Sequence, residues 1–233
     1  MKRQGDPSMD LKIQSQSVQE QAVEKMRTAI MRGVFQPGEK LVEATLCDML
    51  GISRGSLREA LRQLAAEKLV TIIPNRGPFI ADVSLDEALE IYHVRAMLEG
   101  EACYLYATRA DEAGIEQMRQ ALKDFERAVK KSSALERLES TARFYQVILN
   151  GCGNRIIAEL LQGLIARINF LRARSMSTPG RARHSLAELT NMFTAIEARD
   201  ARSARAAAVH HVQQASDAAR CSFEETSPAA QAQ

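Results

Sequence analysis

The chain has 233 residues, enough for two compact domains, and a net charge of only +2, which excludes a polybasic coat protein. Aromatic residues make up 5% and Trp is absent, against a protein that stacks single-stranded bases. The four cysteines, Cys47, Cys103, Cys152 and Cys221, are scattered without metal-ligand spacing and read as reduced, mostly buried thiols of a cytoplasmic protein.

In chain order, residues 1–16 lack an apolar core, so they read as a flexible leader, neither signal peptide nor anchor. Ser17-Val-Gln-Glu20 has capping-box spacing, and Val23, Met26 and Ile30 then form an apolar stripe ending near Gly33. Leu46 and Leu50 mark a short second helix, and Gly51 supplies a sharp turn. Ser53 stands where an N-cap is wanted, ahead of Leu57, Ala60, Leu61 and Leu64 at helical spacing. Arg54, Arg58 and Arg62 recur on the opposite side as a cationic ridge. VTIIP and PFIAD, broken by Asn75-Arg76-Gly77, alternate as a hairpin with Arg76 at its tip.

An arginine ridge alone is more often a solvated face, and a basic hairpin tip more often an ordinary turn. Cap, periodic helix and basic-tipped hairpin in close succession are a different matter. They predict a winged helix-turn-helix over residues 17–83 that sets an arginine-rich helix in the DNA major groove.

Ser84-Leu-Asp-Glu87 is a second capping box and marks the domain boundary near residue 83. Beyond it the pattern is helical: roughly 86–108, 112–131, 134–150, 155–174, 181–198 and 200–220, with breaks at Gly151–Asn154 and Ser175–Gly180. The fold class is therefore mainly α: the winged domain, then an all-α bundle of about six helices over 84–222, with 223–233 as a flexible tail. No run is long and apolar enough to span a bilayer.

Thr141, Tyr145 and Ile148 share one helical face, and Arg95 and Glu99 share another. If both faces point inward, an arginine, a phenol and a hydroxyl converge on a pocket suited to a small carboxylate, with Arg143, Arg167 and Arg172 as further candidates. The plainer alternative is that Arg95 and Glu99 form an i,i+4 ion pair and Tyr145 is core. No nucleophile–base pair, paired carboxylates or phosphate loop stands out, so no enzyme is expected.

GEKLVEATLCDMLGISRGSLREALRQLAAEKLV followed by PNRGPFIADVS resembles the DNA-binding domain of GntR-family transcription regulators, close to the FadR-type (FCD) subfamily. That resemblance implies that Arg54 and Arg58 approach bases, Ser53 and Ser56 add phosphate or base contacts, and Arg76 and Gly77 touch the minor groove. Gly55-Ser56 stands where relatives often have Thr-Pro, so the base preference under Gly55 is expected to differ.

IYHVRAMLEGEACYLYA, Phe144 through Asn154 and AIEARDARSARAAAVHHV resemble the FCD ligand-binding domain more weakly. Metal-binding members hold a divalent cation with one Asp and three His. By the resemblance these positions fall on Thr141, Tyr145, Leu189 and His211, so only the last His remains and the usual metal is expected to be lost. His184 reads as a surface or loop residue, and His211 either as a hydrogen-bonded core histidine or as a ligand contact. The expected effector site comprises Arg95, Glu99, Thr141, Tyr145, Arg167, Arg172, Leu189 and His211, without cofactor or metal.

The resulting expectation is a homodimeric repressor that binds a palindromic duplex operator and responds to a small carboxylate metabolite. The alternative is a DNA-binding dimer whose helical domain serves only for assembly.

Overall fold

The computed structural model describes residues 17–32 and 34–225. The expected leader, Gly33 and the end of the expected tail lie outside the described residues. Three helices and a hairpin come first: α1 (Val18–Met31), α2 (Glu43–Leu50), α3 (Arg54–Ala66), β1 (Val70–Ile73) and β2 (Gly77–Ile80). Six helices follow: α4 (Leu85–Ala107), α5 (Glu112–Lys130), α6 (Ala134–Gly151), α7 (Arg155–Ser177), α8 (Arg181–Glu197) and α9 (Ala201–Glu225).

The capping signals act where the sequence places them. Ser17 and Glu20 form the reciprocal capping box of α1, and Ser53 Oγ accepts from the Ser56 amide at the start of α3. At Ser84 only half of the box forms. Ser84 Oγ accepts from the Glu87 amide, but the Glu87 carboxylate turns to Arg167 on α7, 3.3 Å away. Gly51, at φ +66°, gives the left-handed turn between α2 and α3 that a side chain would strain.

Val23, Met26 and Ile30 of α1, Leu46 of α2 and Leu57, Ala60, Leu61 and Leu64 of α3 close the winged core together with Leu69, Val70 and Ile80. An ion pair from Arg27 to Glu67, at 2.7 Å, ties α1 to the end of α3. The hairpin pairs Val70 with Ile80 and Ile73 with Gly77. Lys40 adds an isolated antiparallel bridge to Phe79 at the edge of this two-stranded sheet, which the sequence reading did not include.

The bundle core runs from Ile91 through Phe125, Phe144, Ile148, Leu171 and Ile196 to Val212. Gly100 faces Val209 so closely that a Cβ there would stand 2.9 Å from it, so the glycine permits the approach of α4 to α9. Helix α9 continues to Glu225, past the expected domain end at 222. Helix α7 serves both domains. Ile168, Leu171 and Arg172 face the bundle, Ala166 packs on the winged core, and Phe170 touches both. No helix among the described residues is long and apolar enough to cross a membrane.

Candidate functional site

The first site is the exposed face of α3 with the wing beside it. Burial of Leu57, Ala60, Leu61 and Leu64 fixes the roll of the helix, which leaves Arg54, Arg58 and Arg62 outward. The Arg58 and Arg62 side chains are 60% and 64% exposed. Arg58 is nevertheless positioned: its Nε donates to both carboxylate oxygens of Glu43 on α2, at 3.0 and 3.3 Å. Arg62 pairs with Glu59 on its own helix. Ser53 and Ser56 hold each other at 3.0 Å at the helix start, and the exposed Gly55 has space around it, with only Ser53 Oγ within contact range.

In the wing, the Arg76 amide donates to the Ile73 carbonyl at 3.1 Å. Asn75 and Gly77 take positive φ, +62° and +93°. Pro74 and Asn75 thus fill the central positions of a turn with left-handed geometry at its third residue. Arg76 is exposed, with its guanidinium 5.4 Å from the centre of the Phe79 ring. All eight residues expected to meet DNA thus lie on α3, its cap or the hairpin tip. Glu43, which orients Arg58, was not among them.

The second site is a polar cluster inside the bundle. Arg95 is fully buried, and its Nε donates to Glu99 at 2.9 Å. Arg172 of α7 reaches the same carboxylate at 3.7 Å, and its guanidinium lies 4.6 Å over the Tyr145 ring. The Tyr145 and His211 rings are 6.3 Å apart. His211 Nδ1 is 2.7 Å from Glu188, which also receives two hydrogen bonds from Arg181, at 3.0 and 2.8 Å.

Burial works against ionised Glu99, but Arg95 and Arg172 outweigh it and hold its pKa below the ordinary glutamate value. Burial lowers the pKa of His211 despite its bond to Glu188, so the imidazole is neutral at pH 7. Tyr145 is pushed well up by burial and then by Glu99, which keeps the phenol protonated. Arg172 is lowered by burial and by neighbouring Arg95. Arg95 Nη1, Arg172 Nε, Arg181 Nε, Tyr145 Oη and Ser185 Oγ are buried without a hydrogen-bond partner.

Of the expected effector residues, Arg95, Glu99, Tyr145, Arg172 and His211 come together here. Thr141 is buried one turn before Tyr145, its hydroxyl donating to the Arg137 carbonyl at 2.8 Å. Leu189 is a buried apolar side chain of the bundle core. Arg167 does not belong to the cluster. It points to the domain junction, where it pairs with Glu87, because it lies on the side of α7 that faces the winged domain. Arg143 is likewise displaced, on the surface against Asp124 at 3.1 Å. His184 is exposed on α8. Arg181 and Glu188 were not singled out from the sequence. Their separation along α8, seven residues, was a usable signal for one helical face.

The residues at the four positions where the resemblance puts a metal do not fit a divalent cation. Thr141 gives its hydrogen to a carbonyl, Tyr145 is a protonated phenol, Leu189 has no donor atom, and His211 is engaged by Glu188. The Arg172 guanidinium over Tyr145 puts a cation of the chain's own beside them.

The model of the bacterial regulatory proteins of the gntR family matches residues 18–80, and the FCD domain model matches residues 90–214. The chain is a GntR-family transcription regulator. This GntR regulator is 32% identical over 156 residues to the HTH-type transcriptional repressor GlaR of Escherichia coli (strain K12), covering 64% of this chain and 71% of that one. It is 26% identical over 188 residues to the uncharacterized HTH-type transcriptional regulator YdhC of Bacillus subtilis (strain 168), covering 80% and 84% respectively. The structure of E. coli McbR/YncC superposes with a TM-score of 0.73 at 21% identity, covering 86% of this chain and 95% of that one, and shares the fold. The family is one of DNA-binding regulators, not enzymes.

Proposed function

We propose that this GntR regulator is a cytoplasmic repressor that binds a palindromic operator as a homodimer, released by a small carboxylate metabolite in the helical domain. The DNA half of the reading is carried by the outward Arg54–Arg58–Arg62 ridge beside the basic wing tip. One such helix reads only a few base pairs, so useful specificity calls for two half-sites and a two-fold dimer. GlaR is named a repressor, which favours that sign here.

The effector half rests on the polar cluster. Two guanidiniums, Arg95 and Arg172, face one carboxylate, Glu99, while Arg181 and Glu188 balance beside a neutral His211. One positive charge and several donors are left over, and each unpartnered buried group costs about 1–3 kcal/mol. A ligand carrying a single carboxylate supplies the missing charge and acceptors. Helix α7 gives such a ligand a lever, because Arg172 on one side reaches the polar cluster and Ala166 on the other packs in the winged core. The ligand must favour one arrangement of the two domains to have any effect.

The complete burial of Arg95 favours a second reading, in which the helical domain only assembles the dimer. Operator binding followed by fluorescence anisotropy across a panel of small carboxylates separates the two. Release by one or more acids supports the effector reading, and uniform indifference, with no acid shifting the melting temperature, supports the assembly reading.

A further inference from the structure

A cavity of about 820 Å³ lies outside the polar cluster, at the junction of the two domains. Arg32 and Phe35 after α1 wall it on the winged side, the linker 82–84 forms one edge, and Arg137, Leu138 and Phe170 face it from the bundle. Its volume is that of a site for a small organic ligand. No residue lining it belongs to the polar cluster.

The chemistry of the wall is uneven. Among the described residues, three arginines, Arg32, Arg137 and Arg174, and one acid, Asp82, line it. Arg174 is engaged, donating to the Ser222 carbonyl at 3.2 Å and lying over the Phe223 ring at 3.6 Å. Arg137 differs: its Nε is buried without an acceptor, and it has no ion pair among the described residues. Arg137 itself is half-buried on the cavity wall, so its guanidinium, without a counter-ion there among the described residues, is placed to hold an anion in the cavity. Phe35, Leu138 and Phe170 make the remainder of the wall apolar. A molecule with an anionic head and an apolar body satisfies both halves.

We propose that the junction cavity is a second ligand site, taking an anionic amphiphile whose carboxylate or sulfonate is held by Arg137 and whose body lies against Phe170 and Leu138. Its occupant touches the winged domain and the bundle at once, so it fixes the angle of the recognition helix relative to the bundle. The site is independent of the effector reading, since it shares no residue with the polar cluster.

The full chain is titrated with 8-anilinonaphthalene-1-sulfonate, an aryl sulfonate that fluoresces when shielded from water, and the bound probe is competed with decanoate. The same titrations are run on Arg137→Met, Ala173→Phe and Tyr145→Phe, each first checked for a cooperative melt. Ala173 is a half-buried wall residue, so phenylalanine there fills the space without touching the polar cluster. The expected result is saturable binding displaced by decanoate and weakened at least about tenfold in Arg137→Met, the worth of one charge-assisted hydrogen bond. Ala173→Phe is expected to abolish it and Tyr145→Phe to leave it unchanged. Wild-type affinity in Arg137→Met or Ala173→Phe, or loss confined to Tyr145→Phe, overturns the assignment. Either result leaves the carboxylate reading of the polar cluster to its own assay.

Discussion

Replacing Glu99 by Gln removes the one carboxylate between Arg95 and Arg172 while keeping the shape of the side chain. Glu99 is 2% exposed, within 2.9 Å of Arg95 and 3.7 Å of Arg172, so water does little to compensate. Breaking a buried pair by removing one partner costs about 3–5 kcal/mol. At roughly 2–4 °C per kcal/mol for a chain of this size, the melting temperature should fall by roughly 6–20 °C. Formate or acetate supplies the missing charge, and at ten times its dissociation constant it returns about 1.4 kcal/mol.

The sign with pH follows from the same geometry. The folded pKa of Glu99 is lowered, so its stabilisation is present above the ordinary glutamate value of about 4.3 and is lost as pH falls through the lower folded value. Glu99→Gln should therefore have a flatter acid limb than the wild type. Urea denaturation at pH 7 and pH 3.5, with and without formate, measures all of this. A loss below about 1 kcal/mol, the worth of a surface pair, refutes the reasoning, as does formate stabilising wild type and variant equally.

Tyr145→Phe deletes a buried hydroxyl that has no partner, so the melting temperature should hold or rise slightly while release of DNA by an effector weakens; unchanged effector titrations remove Tyr145 from the site. His211 has a lowered folded pKa, so its contribution is present above its unfolded value of about 6.5 and lost as pH falls below that. His211→Gln should show less change in denaturation midpoint between pH 7.5 and pH 5.5 than the wild type, and an identical slope contradicts the assignment. Glu43→Gln should loosen Arg58 and reduce discrimination between operator and random DNA by about tenfold at most, with little change in non-specific affinity, because only orientation is lost. Competition anisotropy against both DNAs reads this directly.

The parts of the fold legible in the sequence were those set by neighbours in the chain. Ser17, Ser53 and Ser84 cap the helices they were expected to cap, and apolar spacing fixes the roll of α3, hence the outward ridge. Pairings across elements were harder to read. A helical face gives a direction but not what covers it, and α7 is covered on two sides by two domains. That is why Arg172 reached the polar cluster while Arg167 turned to Glu87. The same gap explains Glu188, which meets Arg181 on its own helix but His211 across from α9, and Glu43, whose partner Arg58 lies beyond the turn. Arg95 and Glu99 form the i,i+4 pair of the plainer reading, and that pair stands in the polar cluster.

The central claim is that the α3 ridge reads a two-fold operator, and selection of bound sequences from random duplex DNA tests it most directly. Run in parallel with the wild type and Arg58→Ala, the selection should return an inverted repeat with half-sites about one helical turn apart for the wild type. Arg58→Ala should remain a dimer by sedimentation but lose the repeat, since one bidentate base contact is worth about 1–3 kcal/mol of discrimination. The same motif emerging from both proteins, or no repeat from the wild type, contradicts the account.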